Sequence, residues 1–113
     1  MMKVWQILIP AADNTGFFFP IEHHRAWDAI VRRLTRGSLT IQQPAKGECR
    51  VYNGKLVREE MIPVLIIANF QQMTTVAEFT AQHYQQKTVF YYVVSSEIYI
   101  HDASSTGCTR TAF

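Results

Sequence analysis

Two adjacent histidines lie in FPIEHHRAWD, residues 19–28, the stretch of this sequence with the clearest chemical character. Neighbouring helical residues are turned by about 100°, so His23 and His24 do not face one ligand together. A helical metal clamp needs histidines at i and i+4, and the residue four after His24 is Asp28, which would only orient one imidazole. We therefore predict no metal site, and favour a structural role in which Glu22 complements the positive helix start and His23 packs at a sheet edge.

A functional role for His23 requires partners from elsewhere in the chain, and His83 is the main candidate. It falls on the apolar stripe of a second predicted helix, so both helices present a histidine toward the sheet. Antiparallel helices would bring the two histidines together or hold them at opposite ends, and the sequence leaves both arrangements open. The structural alternative, which we favour, is a pair of partly buried histidines that bond to backbone groups.

Arg58, Glu59 and Glu60 form a second candidate, because they are charged residues next to an apolar strand. Side chains alternate between faces along a strand, so one carboxylate points into apolar surroundings whichever face is inward. Burial would raise the pKa of that carboxyl group and suit it to general-base catalysis. The alternative, which we favour, is an edge strand whose charges oppose aggregation.

We predict that a pocket, if present, lies between the helices and the long strand after Asn53-Gly54. Its lining would consist of polar groups embedded in apolar runs, where burial perturbs their chemistry. The catalytic candidates are Glu59, Glu60 and His23, and the ligand-binding candidates are Tyr92, His83 and Arg58. The sequence contains no phosphate-binding, dinucleotide-binding, nucleophile-elbow or H-E-x-x-H motif, so no cofactor is predicted.

The elements that position these residues follow from the hydrophobic periodicity. Residues 3–10 read as a strand whose alternate apolar side chains form one face. Residues 21–36 have the helical period, with Gly37 at the favoured position after the helix end. Strand candidates follow at 39–43 and 48–52.

The second half of the chain contains the strongest local signal, Asn53-Gly54, which predicts a two-residue hairpin turn with positive φ at both residues. The next strand runs on through MIPVLIIA, where Pro63 indicates a bulge or an edge. The capping-box pattern of residues 75–78 predicts a second helix that ends near Lys87. Residues 88–100 are again strand-like.

This order of elements predicts an α+β fold, specifically a ferredoxin-like sandwich. Its mainly antiparallel sheet would have four or five strands, with both helices on one face. We assign residues 1–102 to a single domain and residues 103–113 to a polar, flexible tail.

Composition excludes several classes of partner. A net charge of +2 without a long basic run argues against nucleic-acid binding, and no apolar run approaches membrane-spanning length. The two cysteines, Cys49 and Cys108, match no metal or redox spacing, so we expect no disulfide and a reducing cytoplasm.

The hairpin segment GECRVYNGKLVREE, together with Tyr84-Gln85-Gln86 leading into an aromatic strand, resembles short uncharacterised bacterial proteins. The likeness covers roughly residues 4–94, and Cys49 stands where those proteins have an aromatic residue. The layout is also similar to the dimeric α+β-barrel group, which includes cofactor-independent monooxygenases and isomerases. That resemblance implies the fold and dimerisation more than any chemistry.

From these observations we expect a small homodimer that binds a small molecule or acts as an accessory protein, without catalysis. The alternative is a cofactor-independent enzyme that acts on a small aromatic or carbonyl substrate, with Glu59 or Glu60 and His23 as acid–base groups. The homodimer is expected because the last strand, TVFYYVVS, is apolar on both faces, and two helices on one face leave the other uncovered.

Overall fold

A computed structural model describes the backbone of residues 1–35, 39–41, 45–52, 55–99, 101 and 103, and the side chains of residues 1–35, 61–99, 101 and 103. The elements, in chain order, are β1 (Lys3–Pro10), α1 (Ile21–Thr35), β2 (Leu39–Ile41), β3 (Ala45–Tyr52), β4 (Lys55–Ala68), α2 (Phe70–His83) and β5 (Tyr91–Ser95). The α+β class, with two helices and an antiparallel sheet, is confirmed.

Strand β4 is central to the sheet, because β1, β2 and β3 all pair with it in antiparallel fashion. β1 also pairs with β5, which gives the strand order β2-β4-β1-β5. β2 and β3 contact successive parts of β4, opposite residues 64–66 and 55–61 respectively. They therefore act as two parts of one edge, and the chain follows the βαββαβ order of the ferredoxin-like fold.

The predicted hairpin joins β3 to β4. Tyr52 is paired with Lys55, so the register leaves Asn53 and Gly54 as the connection. These two residues lie outside the described part of the chain, and their positive φ angles stay a prediction. Pro63 pairs regularly with Leu8 on one side. On its other side the described pairing passes from β2, opposite Val64, to β3, opposite Met61.

The core lies between the two helices and one face of the sheet. Trp5, Ile7 and Ile9 of β1 are buried, as the alternating pattern predicts, and pair with Ile66, Val64 and Ile62 of β4. The helices cover this face with Trp27, Val31, Met73 and Val76. Two indole groups are satisfied within this core, since Trp5 Nε1 donates to the Ala68 carbonyl and Trp27 Nε1 to Thr80 Oγ1, both at 2.8 Å. The second of these bonds joins α1 to α2.

Helix α1 begins and ends close to the predicted positions. Glu22 lies in its first turn, and Arg32 and Arg33 lie in its last, where each charge complements the helix dipole. Gly37, the predicted residue after the helix end, lies outside the described residues. Asp28 pairs with Arg32 at 3.0 Å, and His24 bonds Tyr84 instead of Asp28.

Helix α2 corrects the sequence prediction at both ends. It begins at Phe70, with Asn69 as its N-cap, rather than after the predicted cap at Thr75. The Asn69 side chain accepts from the Gln72 N–H at 2.8 Å, and the Gln72 side chain accepts from the Asn69 N–H at 2.9 Å. The helix ends at His83 rather than near Lys87.

The final strand is shorter than predicted, since β5 covers only residues 91–95 of the strand-like segment 88–100. Residues 104–113, most of the predicted tail, lie outside the described residues, so the domain limit at residue 102 stays a prediction. No helix within the described ranges is long and apolar enough to cross a membrane.

Candidate functional site

His23 and His83 converge, which the sequence alone left open. α1 begins where α2 ends, and the two imidazole rings stack with centroids 3.9 Å apart and planes 22° from parallel. His23 Nε2 donates to the His83 carbonyl at 2.9 Å, and His83 Nε2 donates to the His23 carbonyl at 2.7 Å. The pair therefore joins the two helices by reciprocal hydrogen bonds. This contact matches the structural alternative, two partly buried histidines bonded to backbone groups.

These bonds define the tautomer of both rings. A carbonyl oxygen only accepts, so each Nε2 carries the hydrogen, and in a neutral imidazole the lone pair then lies on Nδ1. No hydrogen bond to either Nδ1 atom is found within the described part of the chain. Each ring thus keeps one acceptor for other contacts.

His24 bonds to Tyr84, the residue that follows the end of the second helix. Its Nδ1 atom lies 2.6 Å from the hydroxyl of Tyr84, whose side chain is only 2% exposed. Burial raises the pKa of the Tyr84 hydroxyl, which keeps it protonated. Burial also lowers the pKa of His24, and the charges of His23 and His83 lower it further. His24 is therefore neutral at pH 7, and it accepts the hydrogen bond from Tyr84.

The loop between β1 and α1 is fixed by Asp13. One carboxylate oxygen, Oδ1, accepts from the Thr15 N–H at 2.9 Å, the Thr15 hydroxyl at 2.7 Å and the Phe17 N–H at 3.0 Å. The Thr15 hydroxyl is the main cause of the lowered pKa of Asp13, and the other bonds add to it. Gly16 has a φ of 94°, a conformation that glycine adopts at little cost. Asp13 is thus an ionised group in an ordered turn.

Helix α2 ends in a Schellman motif with an unusual residue. The N–H groups of Gln85 and Gln86 donate to the carbonyls of Gln82 and Ala81, at 3.3 and 2.8 Å. Gln85 occupies the left-handed position, with a φ of 53°, where glycine is the usual residue. A non-glycine residue in this conformation costs about 1 kcal/mol. The left-handed conformation itself is the usual one at this position of a Schellman motif.

These groups surround a cavity of about 380 Å³, which we call the helix-end cleft. It is lined by Asp13, Asn14, Thr15, Phe19, His23, His83, Tyr84 and Gln85. Phe19 stacks on the His23 ring with centroids 4.8 Å apart, so one wall of the cleft is a continuous set of flat rings. The other walls are polar. A small cavity with aromatic walls and a few convergent polar groups is typical of a small-molecule site.

The structure brings together only some of the predicted site residues. His23 and His83 share the helix-end cleft, whereas Tyr92 lies on β5, where it bonds the side chain of Gln6. Arg58 and Glu59 pair with Cys49 and Glu48 across the β3–β4 hairpin. Glu60 lies on the same strand.

The side chains of Arg58, Glu59 and Glu60 lie outside the described residues, so their predicted roles are untested. The catalytic role of His23 and the ligand-binding roles of His83 and Tyr92 also stay predictions.

Sequence reasoning missed Asp13, Phe19 and Gln85 as cleft residues. Asp13-Asn14-Thr15-Gly16 does carry a local signal, because aspartate bonds to backbone groups two residues on and glycine completes the turn. Gln85 has no comparable signal, since glutamine is not typical of a left-handed position. Among the described residues, no three His, Cys, Asp or Glu side chains are grouped as metal ligands.

Comparison with known proteins shows a likeness in structure only. No family model matches the chain, and a search of curated protein sequences finds no relative. The solved structure of the divalent cation tolerance protein CutA1 from Thermus thermophilus is similar, with a TM-score of 0.60 and 15% identity over 92% of this chain and 88% of that one.

Two further solved structures show the same likeness. CutA from Xylella fastidiosa has a TM-score of 0.61 and 13% identity, over 88% of this chain and 86% of its own. The PII-like protein CutA from Nostoc sp. PCC 7120 has a TM-score of 0.53 and 12% identity, over 82% and 79%. At such low identity these matches show the fold alone, and they support the ferredoxin-like assignment.

Proposed function

We propose that this chain is a small binding protein without chemistry of its own, and that its ligand is a small molecule held in the helix-end cleft. The proposal extends to a homodimer in the cytoplasm, built on a four- to five-stranded ferredoxin-like sheet. The cleft lies where α1 begins and α2 ends, so an occupant would contact both helices and the Asp13 turn together.

The reciprocal bonding of His23 and His83 is the observation that carries this proposal. Both Nε2–H groups are committed to backbone carbonyls, and both rings are stacked, so the pair builds a rigid wall. A catalytic imidazole must exchange a proton with a substrate through a free nitrogen within hydrogen-bond reach of the reacting group. Here the bonded Nε2 atoms hold the two rings in place and each Nδ1 stays free to accept, and a fixed wall with free acceptors is what a binding site needs.

Fragment mapping by two-dimensional amide NMR tests the proposal. We expect a library of small aromatic fragments to shift the amide signals of residues 13–19, 23 and 83–85. Phe19→Leu should weaken these shifts, because it removes the ring stacked on His23. Phe17→Leu is the matched control, since Phe17 lies in the same loop but is 74% exposed and does not line the cleft. Fragments that shift only signals elsewhere would remove the proposal.

Binding of a divalent cation is a second candidate, because two similar solved structures, from Thermus thermophilus and Archaeoglobus fulgidus, are described as divalent cation tolerance proteins. The unbonded Nδ1 atoms of His23 and His83 are suitable ligands for such an ion. Isothermal titration with Zn²⁺ tests this. His83→Gln keeps an N–H donor in place of Nε2 but removes the ring nitrogen, so it should reduce the affinity. Absence of any heat of binding would eliminate the candidate.

A further inference from the structure

The helix-end cleft offers acceptors rather than donors along its histidine wall. Both Nε2–H groups already donate to carbonyl oxygens, so the stacked rings have only their Nδ1 lone pairs to offer. Asp13 adds a further acceptor, because the hydrogen bonds from Thr15 and Phe17 all go to Oδ1. No hydrogen bond to Oδ2 is found among the described residues. A matching ligand must therefore supply N–H or O–H donors.

The charge of the cleft also favours a positive ligand. The pKa of Asp13 is lowered by its hydrogen bonds, so the carboxylate stays ionised over the whole physiological range. The cleft lies between the C-terminus of α2 and the N-terminus of α1, where the two helix dipoles oppose one another, so its charge comes from Asp13. No Lys or Arg is among the residues that line this cavity.

The shape of the cleft suits a flat group. Phe19, His23 and His83 form a stack of three rings, and Tyr84 presents its ring edge to Phe19 at a centroid distance of 5.1 Å. Both faces of the central ring, His23, are covered within this stack, so what that ring offers a ligand is its edge, including Nδ1. A volume of about 380 Å³ accommodates a single ring with one polar substituent.

We infer that the helix-end cleft selects small, flat organic cations that bear several N–H donors, such as an amidinium or guanidinium group. This inference rests on the proposed function, since it names the ligand class of the same site. The cation would lie against the Phe19–His23 wall and donate to Asp13 Oδ2 and to the ring nitrogens. Asp13 would then be the residue that determines specificity.

Three probes of the same shape test the inference: benzamidine, benzamide and benzoate. They share one ring and differ in charge, being positive, neutral and negative at pH 7. We expect amide NMR titrations to give benzamidine a dissociation constant at least tenfold lower than either of the others. The shifts should be centred on residues 13–19, 23 and 83–85.

Asp13→Asn tests the negative charge of Asp13 without changing the structure of the turn. The asparagine Oδ1 still accepts the three hydrogen bonds, so the loop is retained, while the negative charge is lost. We expect the affinity for benzamidine to fall at least tenfold, toward that of benzamide. Asp28→Asn is the control, because it removes a carboxylate of α1 that pairs with Arg32 and does not line the cleft.

The outcomes distinguish this inference from the proposed function. If all three probes bind the cleft equally, or if Asp13→Asn leaves benzamidine binding unchanged, the cation preference is wrong and the binding role stands. If neither these probes nor the aromatic fragments bind in the cleft, both are wrong.

Discussion

The Tyr84 hydroxyl is a polar group in an almost fully buried side chain, and its bond to His24 contributes to stability. We expect Tyr84→Phe to lower the free energy of unfolding by about 1 kcal/mol, because the half-buried Nδ1 of His24 loses its partner. Urea denaturation measures this change. Tyr99→Phe is the matched control, since the Tyr99 hydroxyl bonds Glu97 at an exposed site and should contribute little. Equal losses in the two variants would contradict the prediction.

The histidine cluster should make the stability of the fold depend on pH. The pKa of His24 is lowered in the folded state, first by burial and then by His23 and His83, whereas an unfolded histidine titrates near 6.5. The unfolded chain therefore binds more protons than the folded chain as the pH falls below about 6.5. This contribution to stability is present above that pH and is lost as the pH falls through the folded pKa.

Urea denaturation at a series of pH values between about 7.5 and 5 checks this sign. We expect the wild-type free energy of unfolding to fall across this window, and His24→Asn to reduce the fall, because asparagine can accept from Tyr84 but does not titrate. His101→Asn, at an exposed histidine, is the control. Greater stability at the lower pH would refute the prediction.

The chemistry of single residues can be predicted only where the local pattern decides it. The helical periodicity identifies His23 and His83, because each lies on the apolar stripe of its helix. Their contact cannot be predicted in this way, because the two histidines are 60 residues apart in the sequence. It depends on how the start of α1 is placed relative to the end of α2. Gln85 lines the cleft because the last turn of α2 forces it into a left-handed conformation. Nothing in the residue type indicates that role.

At the scale of elements, the start of α2 shows how two similar signals compete. Both Asn69 to Gln72 and Thr75 to Glu78 fit the capping-box pattern. The earlier cap prevails, since a helix from Phe70 places Met73 in the core as well as Val76 and Thr80. Thr75 then lies inside the helix, where its hydroxyl bonds the Gln71 carbonyl. The longer helix is favoured because it buries an extra apolar residue, Met73. The capping-box pattern by itself gives no measure of that burial.

Substitution of the two caps tests this assignment. Asn69→Ala should lower the free energy of unfolding by about 1 kcal/mol, because it leaves the Gln72 N–H without its acceptor. Thr75→Ala should have almost no effect or a slightly stabilising one, since alanine is the better residue inside a helix. Thermal or urea denaturation of both variants gives the comparison. A larger loss for Thr75→Ala would restore the helix start that the sequence suggested.

For the whole molecule, the order of elements is predictable and the limits of the strands are less so. The alternation of apolar residues predicts strand β1, and Asn53-Gly54 predicts the hairpin between β3 and β4. Both depend only on neighbouring residues, and both are confirmed. The register of β5 with β1 shifts between Val4 and Trp5, and beyond that shift only Ser95 remains paired. Such an irregularity arises from packing between strands that are far apart in sequence, so the apolar run 88–100 does not reveal it.

The second face of the sheet is the basis for the proposed homodimer. Val4, Leu8, Leu65 and Ile67 are only partly buried there, and Tyr92 is 48% exposed. Among the described elements, the helices pack against the opposite face, where Trp5, Ile7 and Ile9 are buried. An apolar face of this kind is rarely left open in a monomer, and two-fold symmetry lets one patch cover its own copy.

Size exclusion with light scattering tests whether this face joins two copies. We expect a mass of about twice the chain mass of 13.0 kDa at micromolar concentration. Leu8→Glu should give the monomer mass, because it places a charge in the centre of the apolar face, where pairing would bury it without a partner. Ala29→Glu, on the exposed side of α1, should leave the mass unchanged. A wild-type monomer, or a larger assembly that Leu8→Glu does not dissociate, would exclude pairing through this face.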